Sequence, residues 1–387
     1  MEQEKQWTQE QAGCRQQNAT RAVFFIDGFG NSSWAPMVPL LQERLRIGED
    51  ILGLLLLCIG LGSLLTMPLA GVAAARFGCR RVLTVSIFCY ALLLGLLSVV
   101  SSFWLIVPAL LGFGAAMGIV DVVSNIHAVT VEQAAGRRLM SGMQALWSVG
   151  GFAGAGLFSI WLQLGFSSHM ASGIAAALML VLLLLFRPHL LRYGGTREGA
   201  AWFAVPRGIV GFIGIVAFIT FLVEGAMMDW GGVFLTTVRG LDIAMAGTGF
   251  AVFSSAMLIM RLSGDWLVRR LGAQLIVLGG SLLAAAGFLF IIFAPGIMLL
   301  YTGFFFIGVG LANIVPTFYS MLGRQQIMPL NMAVSAVSTV GYLGILMGPA
   351  LIGFIAQQTS LYVSFGLLTV LVLAQMAIAR FVYQRIL

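Results

Sequence analysis

Residues 112–128 read GFGAAMGIVDVVSNIHA, and they lie within an apolar run that extends over 103–131. Asp121 and Asn125 are four residues apart, so a helix places both side chains on one face. An ionisable group inside a lipid-embedded helix is costly and is usually kept for an ion, a proton or a polar substrate. The stretch therefore predicts a membrane helix with a functional polar face.

The composition of the whole chain is typical of a membrane protein with many spans. Of its 387 residues, 60% are hydrophobic and 9% are charged, and the mean hydropathy is +1.00. A soluble domain carries roughly 25% charged residues, and a single soluble core could not bury so much apolar surface. Residues 1–20 are polar and Gln-rich, without the apolar centre of a signal peptide. We interpret them as a disordered cytoplasmic tail.

Apolar segments of about 20 residues, the length that crosses a bilayer, occur twelve times. They are 22–41, 51–75, 82–100, 103–131, 139–165, 169–186, 208–238, 245–268, 273–294, 297–322, 332–357 and 361–382. The longest polar connection, 187–207, divides them into two sets of six. The sequence therefore predicts an all-α membrane protein, with a tail (1–20), a six-helix bundle (21–186), a linker (187–207) and a second six-helix bundle (208–387).

The arginines predict the orientation of the chain. Nearly all of the 21 Lys and Arg fall in segments on the same side as the N-terminus, whereas Arg44, Arg46 and Arg239 fall in opposite loops and Arg261 lies within a span. Basic residues concentrate on the cytoplasmic side of membrane proteins. Both termini are therefore expected in the cytoplasm. The pI near 9.7 reflects this bias, and no nucleic-acid partner is expected.

The two halves carry signs of an internal repeat. Several identical residues are separated by 194 positions, at matching places in the two sets of spans. The pairs are Gly53 and Gly247, Arg76 and Arg270, Gly78 and Gly272, Gly150 and Gly344, and Gly154 and Gly348.

The loop after the second span, GVAAARFGCRR at 71–81, resembles the signature loop of the major facilitator superfamily. The matching residues are Gly71, Arg76, Gly78, Arg80 and Arg81. Ala75 stands where the family has an acid, which puts a strong ion-pair latch in this half in doubt. The resemblance implies twelve helices in two pseudosymmetric bundles, with loops that cap helix ends and close the cytoplasmic side.

The equivalent loop of the second half lies in RLSGDWLVRRLG at 261–272. Its gating candidates are Arg261, Asp265, Arg269 and Arg270. Arg261 and Asp265 are four residues apart, and we interpret them as a structural ion pair.

Within the superfamily, Asp121 and Asn125 resemble the acid-x-x-x-Asn pattern of the fucose–proton symporter group. The resemblance implies a central cavity in which the acid takes part in proton coupling and sugar binding. The fifth span adds Gln144 and Ser148, which we expect at similar depth, completing a polar cluster of four residues. Gln144 stands where relatives often carry His, and Gln cannot titrate.

The seventh span carries a second acidic motif, EGAMMDW at 224–230, which resembles a bacterial subgroup similar to the fucose permease. We predict that Glu224 is a cavity carboxylate that takes part in proton coupling. Asp229 and Trp230 are outer-gate candidates, although a solvated helix end beside an interfacial Trp explains them equally well.

Other polar residues are weaker candidates for the cavity. Asp27 is a substitute proton site or a partner of Arg21, because the acid that the fucose permease carries further out on this span is missing. The remaining candidates are Asn31 and Trp34 on the first span and Asn313 and Tyr319 on the tenth. For the last two, a hydrogen bond between helices is an equal alternative.

These observations favour a secondary active transporter, and no cofactor is expected. His127, His169 and His189 lack the spacing of metal ligands, and no phosphate loop or nucleophile motif indicates an enzyme. We expect a monomer that contacts membrane lipid and couples protons to the movement of a small, sugar-like solute. The resemblance to the fucose permease group implies that its spans lie in the inner membrane of a bacterium. The alternatives are a proton-antiport exporter of drugs or metabolites, and a non-transporting sensor or assembly protein on a transporter fold.

Overall fold

The computed structural model describes residues 13–195, 205–242, 245–293 and 295–386, and within these ranges the chain is helical and contains no strand. The all-α prediction is confirmed. The helices are α1 Cys14–Trp34, α2 Met37–Leu45, α3 Glu49–Phe77, α4 Cys79–Val99, α5 Phe103–Ala135, α6 Met140–Gln163, α7 Ser168–Phe186, α8 Ile209–Val233, α9 Thr248–Leu271, α10 Ala273–Phe293, α11 Ile297–Leu311, α12 Ile314–Leu322, α13 Leu330–Gln358 and α14 Leu361–Ile386.

Eleven spans in the described ranges are long and apolar enough to cross a membrane, and α11 with α12 counts as one of them. The first of the twelve predicted spans is the exception, because α1 contains too many polar residues and ends at Trp34 before α2 begins at Met37. Pro36 at the N-terminus of α2 fits this break, since proline is favoured where a helix begins. The protein is therefore an integral membrane protein whose first helix is more polar than the others.

The expectation of a disordered tail through residue 20 is wrong for residues 14–20, which already belong to α1. Polar side chains of this turn have partners in the fold. Arg137 donates a hydrogen bond to Gln17 at 2.7 Å, and the Thr20 hydroxyl lies 3.0 Å from Nδ1 of His127. Residues 1–12 of the predicted tail lie outside the described part.

The chain divides into two compact units. Unit 1 comprises residues 1–139, 143–205 and 329–335, and unit 2 comprises 140–142, 206–328 and 336–387. Each unit thus takes a short segment from the start of a helix whose remainder belongs to the other, namely the first turns of α6 and α13. Unit 2 begins at Pro206, close to the predicted end of the linker.

Equivalent helices pack in the same way inside each unit. In unit 1, a Cβ atom added at Gly150 of α6 would overlap the backbone carbonyl oxygen of Phe25 on α1. In unit 2, a Cβ at Gly344 of α13 would overlap the carbonyl oxygen of Phe218 on α8. Small residues allow such close backbone approach in membrane helices, so these contacts give the glycine repeat of the sequence a structural cause.

Arg44 and Arg239 have equivalent roles at helix ends in the two units. Arg44 donates to the backbone carbonyls of Leu97 and Ser98 at the end of α4. Arg239 donates to those of Ile291 and Ile292 at the end of α10. The last carbonyls of a helix lack intrahelical donors and carry partial negative charge. Each arginine therefore caps the C-terminus of the equivalent helix in its own unit.

The segment that follows α7 is held by hydrogen bonds to other parts of unit 1. The Leu191 amide donates to Nε2 of His127 at 2.9 Å, and the Leu191 carbonyl accepts from the Arg80 amide at 2.8 Å. Because Nε2 accepts, a neutral His127 carries its proton on Nδ1 and donates to Thr20, whose hydroxyl in turn donates to the Gln16 carbonyl at 2.9 Å. The first part of the predicted linker is thus ordered, and residues 196–204 lie outside the described ranges.

Candidate functional site

Asp121 and Asn125 lie on one face of α5, as their spacing predicts. The Asn125 side-chain amide donates to the Asp121 backbone carbonyl at 2.9 Å, and its nitrogen is 3.4 Å from the Asp121 carboxylate. Asn125 is buried, and its side-chain oxygen Oδ1 has no hydrogen-bond partner among the described residues. This face of α5 therefore offers a carboxylate and an unused amide oxygen.

Asp27 on α1 extends this polar face. It is 2% exposed, and its Oδ2 accepts a hydrogen bond from the Trp147 indole N–H at 3.0 Å. Its other oxygen, Oδ1, is buried without a hydrogen-bond partner in the described structure. The carboxylates of Asp27 and Asp121 interact electrostatically, and neither has a basic side chain at ion-pair distance within the described ranges. The pair has an unsatisfied capacity for a proton, a cation or a hydroxyl donor.

Trp147 is the residue that sequence reasoning missed. The predicted cluster used Gln144 and Ser148 of α6, and the structure places Gln144 in a buried position and Ser148 in a partly exposed one. Trp147, which directly precedes Ser148, donates the hydrogen bond to Asp27. A signal was available, because a tryptophan inside an apolar helix carries a polar N–H that requires a partner when buried.

The two other candidates of α1 lie in different surroundings. Asn31 follows Asp27 by one helical turn and is partly exposed. Trp34 is 6% exposed and packs against Phe113, with ring centroids 5.9 Å apart. An aromatic contact inside the unit is thus the observed role of Trp34, and stacking on a solute remains a prediction.

Unit 2 holds its partly buried acid differently. Glu224 on α8 forms an ion pair with Arg261 on α9, at 3.2 Å between Oε1 and Nη2. Nε of the same guanidinium donates to the Ala312 carbonyl at 3.2 Å. Arg261 is 7% exposed in its side chain and Glu224 is 20% exposed. This ion pair between helices was not predicted from the sequence, and the pairing of Arg261 with Asp265 stays a prediction.

The tenth span is interrupted where Arg261 reaches it. α11 ends at Leu311, and α12 begins at Ile314 with Asn313 as its N-cap residue. The Asn313 amide donates to the Met260 carbonyl at 3.0 Å, while its Oδ1 is buried without a hydrogen-bond partner in the described residues. Irregular backbone at membrane depth is tolerated where protein groups satisfy it or where it lines a cavity. The break is thus another place in the described residues where a buried polar oxygen has no hydrogen-bond partner.

Tyr319 and Trp230 connect helices of unit 2. The Tyr319 hydroxyl lies 2.6 Å from that of Ser338, and both residues are buried. The Trp230 indole donates to the Pro349 carbonyl at 3.0 Å, and Asp229 beside it is exposed. For Tyr319 the structure thus shows the hydrogen bond between helices that the sequence left open, and a gating role of Trp230 and Asp229 stays a prediction.

The signature loops of the two units make different contacts. In unit 2, Asp265 accepts hydrogen bonds from the amides of Ser141 and Gly142, at 3.1 and 2.9 Å, and so caps the start of α6. In unit 1, the Asn331 amide donates to the Gly71 carbonyl at 2.9 Å. A carboxylate at a helix N-terminus is favoured by the helix dipole, and the neutral contact at Gly71 lacks that contribution.

The two signature loops each contain a glycine with a positive φ angle. Gly78 and Gly272 have φ angles of 80° and 85° at the turns into α4 and α10. This left-handed region favours glycine. Arg76 and Arg270 precede these turns, Arg81 follows the first of them, and Arg269 lies beside Arg270 on the exposed surface. Arg270 lies over the Trp266 ring at 4.7 Å.

Known proteins share the sequence pattern and the fold of this chain. The family model described as Major Facilitator Superfamily matches residues 22–325. An uncharacterised MFS-type transporter of Yersinia pestis is 47% identical over 370 residues, or 96% of each chain. The E. coli fucose:proton symporter FucP superposes with a TM-score of 0.77 at 15% identity, over 95% of this chain and 98% of its own. A human organic anion transporter, MFSD10, superposes with a TM-score of 0.75 at 17% identity, over 94% of this chain and 99% of its own.

Proposed function

Because the chain belongs to the major facilitator superfamily and is a membrane transporter, we propose that it couples protons to the movement of a small, sugar-like polar solute. The observation that carries this proposal is the pair of carboxylates in unit 1, of which Asp27 is buried and Asp121 is partly exposed. Asp27 and Asp121 interact without an ion-pair partner in the described ranges. Low-dielectric surroundings disfavour a charged carboxylate, so a proton on either aspartate reduces both the cost of burial and the repulsion between the two.

The surroundings of the pair support a link between protonation and solute binding. Asn125 Oδ1 and Asp27 Oδ1 are buried acceptors without partners in the described structure. A hydroxyl-rich solute supplies donors for such oxygens, and a site built to receive hydroxyl groups discriminates strongly against analogues that lack them. Binding of the proton and binding of the solute then alter the same few atoms.

Unit 2 supports a different assignment for Glu224. Its ion pair with Arg261 favours the charged carboxylate, and no such cation lies at ion-pair distance from the two aspartates of unit 1 in the described ranges. We therefore assign proton coupling to Asp27 and Asp121, and assign Glu224 with Arg261 to the support of the helix break at Ala312. Similarity to FucP, named as a fucose:proton symporter, agrees with the proposal at the level of the fold.

A ligand screen followed by a transport assay tests the proposal. The purified full chain is heated with sugars, polyols, nucleosides and lipophilic cations at two pH values, and the unfolding midpoint is recorded. We expect a polar solute to raise the midpoint in the wild-type protein and to lose most of this effect in Asp121→Asn. The conservative variant Ser124→Ala is the control, because Ser124 donates only to the Asp121 backbone carbonyl.

The stabilising solute is then supplied to proteoliposomes that contain a trapped pH indicator. Inward movement of solute and protons together supports the symporter. Stabilisation by lipophilic cations, with protons moving against them, would replace it with the exporter. A protein that no solute stabilises, and that moves no solute in exchange assays, would contradict transport itself and favour a sensor.

A further inference from the structure

A cleft at one end of unit 2 is separate from the polar clusters described above. It has a volume of about 430 Å3 and lies where α8 begins, beside the connection after α12 and the last turns of α14. This volume is within the range of about 300–1,000 Å3 that is usual for ligand sites. The lining residues used below are Ile209, Phe212, Arg324, Ile327, Phe381 and Arg385.

The cleft is electropositive. Arg324 and Arg385 are both exposed at its walls, and no acidic side chain lines it. The N-terminus of α8 at Ile209 adds the partial positive charge of a long helix. Guanidinium groups are well suited to phosphate, because their N–H donors match its oxygens in pairs.

The walls of the cleft have defined positions. The Arg385 guanidinium lies over the Phe381 ring at 5.4 Å, and the rings of Phe381 and Phe212 are 5.0 Å apart. The Gln325 side chain accepts from the amides of Ile327 and Met328, both at 2.9 Å, and donates to the Met328 carbonyl at 2.7 Å. The connection that carries Arg324 is therefore held in shape by its own hydrogen bonds.

We propose that this cleft binds the phosphate group of an anionic phospholipid. Large apolar side chains lie beside the arginines and remain exposed, at 39% for Phe212, 38% for Phe381 and 55% for Ile327. A soluble anion leaves these groups uncovered, whereas a lipid covers them with its glycerol and acyl chains while its phosphate pairs with the guanidinium groups. Basic pockets at the cytoplasmic ends of membrane helices attract anionic head groups, and the chain as a whole carries a net charge of +7.

Native mass spectrometry of the purified full chain in detergent tests the proposal. The probes are phosphatidylglycerol, phosphatidylcholine, diacylglycerol and inorganic phosphate, each titrated separately. The test variant is Arg324→Gln/Arg385→Gln, and the control is Arg269→Gln/Arg270→Gln, which removes the same charge from exposed arginines outside the cleft. A third variant, Arg324→Lys/Arg385→Lys, keeps the charge.

We expect one phosphatidylglycerol to bind about tenfold more tightly than phosphatidylcholine, since each basic residue near an anionic head group contributes severalfold. The preference should disappear in Arg324→Gln/Arg385→Gln, persist in the control and persist in part in the Lys variant. Equal loss in the control would overturn the proposal, because it would show only general charge attraction. Binding of inorganic phosphate that displaces phosphatidylglycerol would also overturn it, by assigning the cleft to a soluble anion. Circular dichroism of each variant verifies folding.

Discussion

The two units share their packing and differ in how they hold buried acids. Equivalent glycines bring α6 against α1 in unit 1 and α13 against α8 in unit 2, and equivalent arginines cap α4 and α10. Asp27 in unit 1 has an oxygen without a partner in the described structure, whereas Glu224 in unit 2 is paired with Arg261. The scaffold thus repeats, while charge chemistry is specific to each unit.

This difference indicates that the acids of the two units have different roles. A guanidinium partner favours the charged form of a carboxylate, and we assign to such a pair the role of positioning other groups. A pair of carboxylates without a cation changes its charge state easily when a proton or a solute arrives. We therefore expect variants of unit 2 acids to affect stability, and variants of unit 1 acids to affect coupling.

The largest expected effect on stability is that of Arg261→Met. It leaves the Glu224 carboxylate and the Ala312 carbonyl without their donor, and breaking a buried ion pair costs about 3–5 kcal/mol. Because Glu224 is 20% exposed, we expect the free energy of unfolding to fall by an amount near the lower end of this range. Asp27→Asn in unit 1 should change the unfolding midpoint far less.

Thermal unfolding in one detergent compares these variants. The double variant Glu224→Gln/Arg261→Met should recover part of the loss, because it no longer buries an unpaired charge. If Asp27→Asn destabilised the protein as strongly as Arg261→Met, the contrast between the units would be wrong.

A similar loss in both units is expected when the packing glycines are changed. In Gly150→Ala and Gly344→Ala the new methyl group overlaps a backbone carbonyl of the facing helix, and overpacking costs about 1–3 kcal/mol. Gly156→Ala on α6 is the matched control, since its Cβ meets open space and alanine is the better helix former by about 1 kcal/mol. Opposite responses of Gly150→Ala and Gly344→Ala in thermal unfolding would refute the structural repeat.

The arginine caps should contribute less. Arg44→Gln and Arg239→Gln each remove charged hydrogen bonds to helix-end carbonyls, with an expected cost of about 1–2 kcal/mol. Arg239→Gln should have the larger effect, because Arg239 also lies over the rings of Phe234 and Tyr362. Hydrogen exchange of the last turns of α4 and α10 measures the local loosening, and Arg46→Gln serves as the control of equal charge. Unchanged exchange in both cap variants would show that these bonds do not hold the helix ends.

The smallest effect is expected at the signature loops. Asp265→Asn removes the charge that caps α6 and should cost about 0.3–1 kcal/mol, with faster exchange at Ser141 and Gly142. Asn331→Asp in unit 1 introduces a carboxylate that cannot donate to the Gly71 carbonyl, so it should not stabilise the protein. A gain in stability for Asn331→Asp would contradict the contrast between a charged and a neutral contact.

Much of this architecture could be predicted from the sequence, since hydropathy locates helices and the spacing of Asp121 and Asn125 specifies a shared face. Partners across helices could not be predicted in the same way. The spacing of four residues predicts a pair of Arg261 with Asp265, and it gives no sign of the ion pair of Arg261 with Glu224 on another helix. Local spacing contains no information on which side chains of other helices lie nearby, and the bond between Trp147 and Asp27 was missed for the same reason.

The beginning of the chain illustrates a second limit. Residues 14–20 are polar and were read as part of a tail, but they form the first turns of α1. Composition favours disorder when polar groups lack partners. Here Gln17 and Thr20 find partners on other elements, Arg137 and His127, and only the folded structure reveals them.

The most direct test of the account is proton movement driven by the solute that stabilises the protein. Proteoliposomes with a trapped pH indicator would contain the wild type, Asp27→Asn, Asp121→Asn or Glu224→Gln, and solute exchange at equal concentrations would verify that each variant still moves the solute. The account predicts that both aspartate variants exchange solute without moving protons, while Glu224→Gln retains proton movement. Loss of proton movement in Glu224→Gln alone, with both aspartate variants fully coupled, would contradict it.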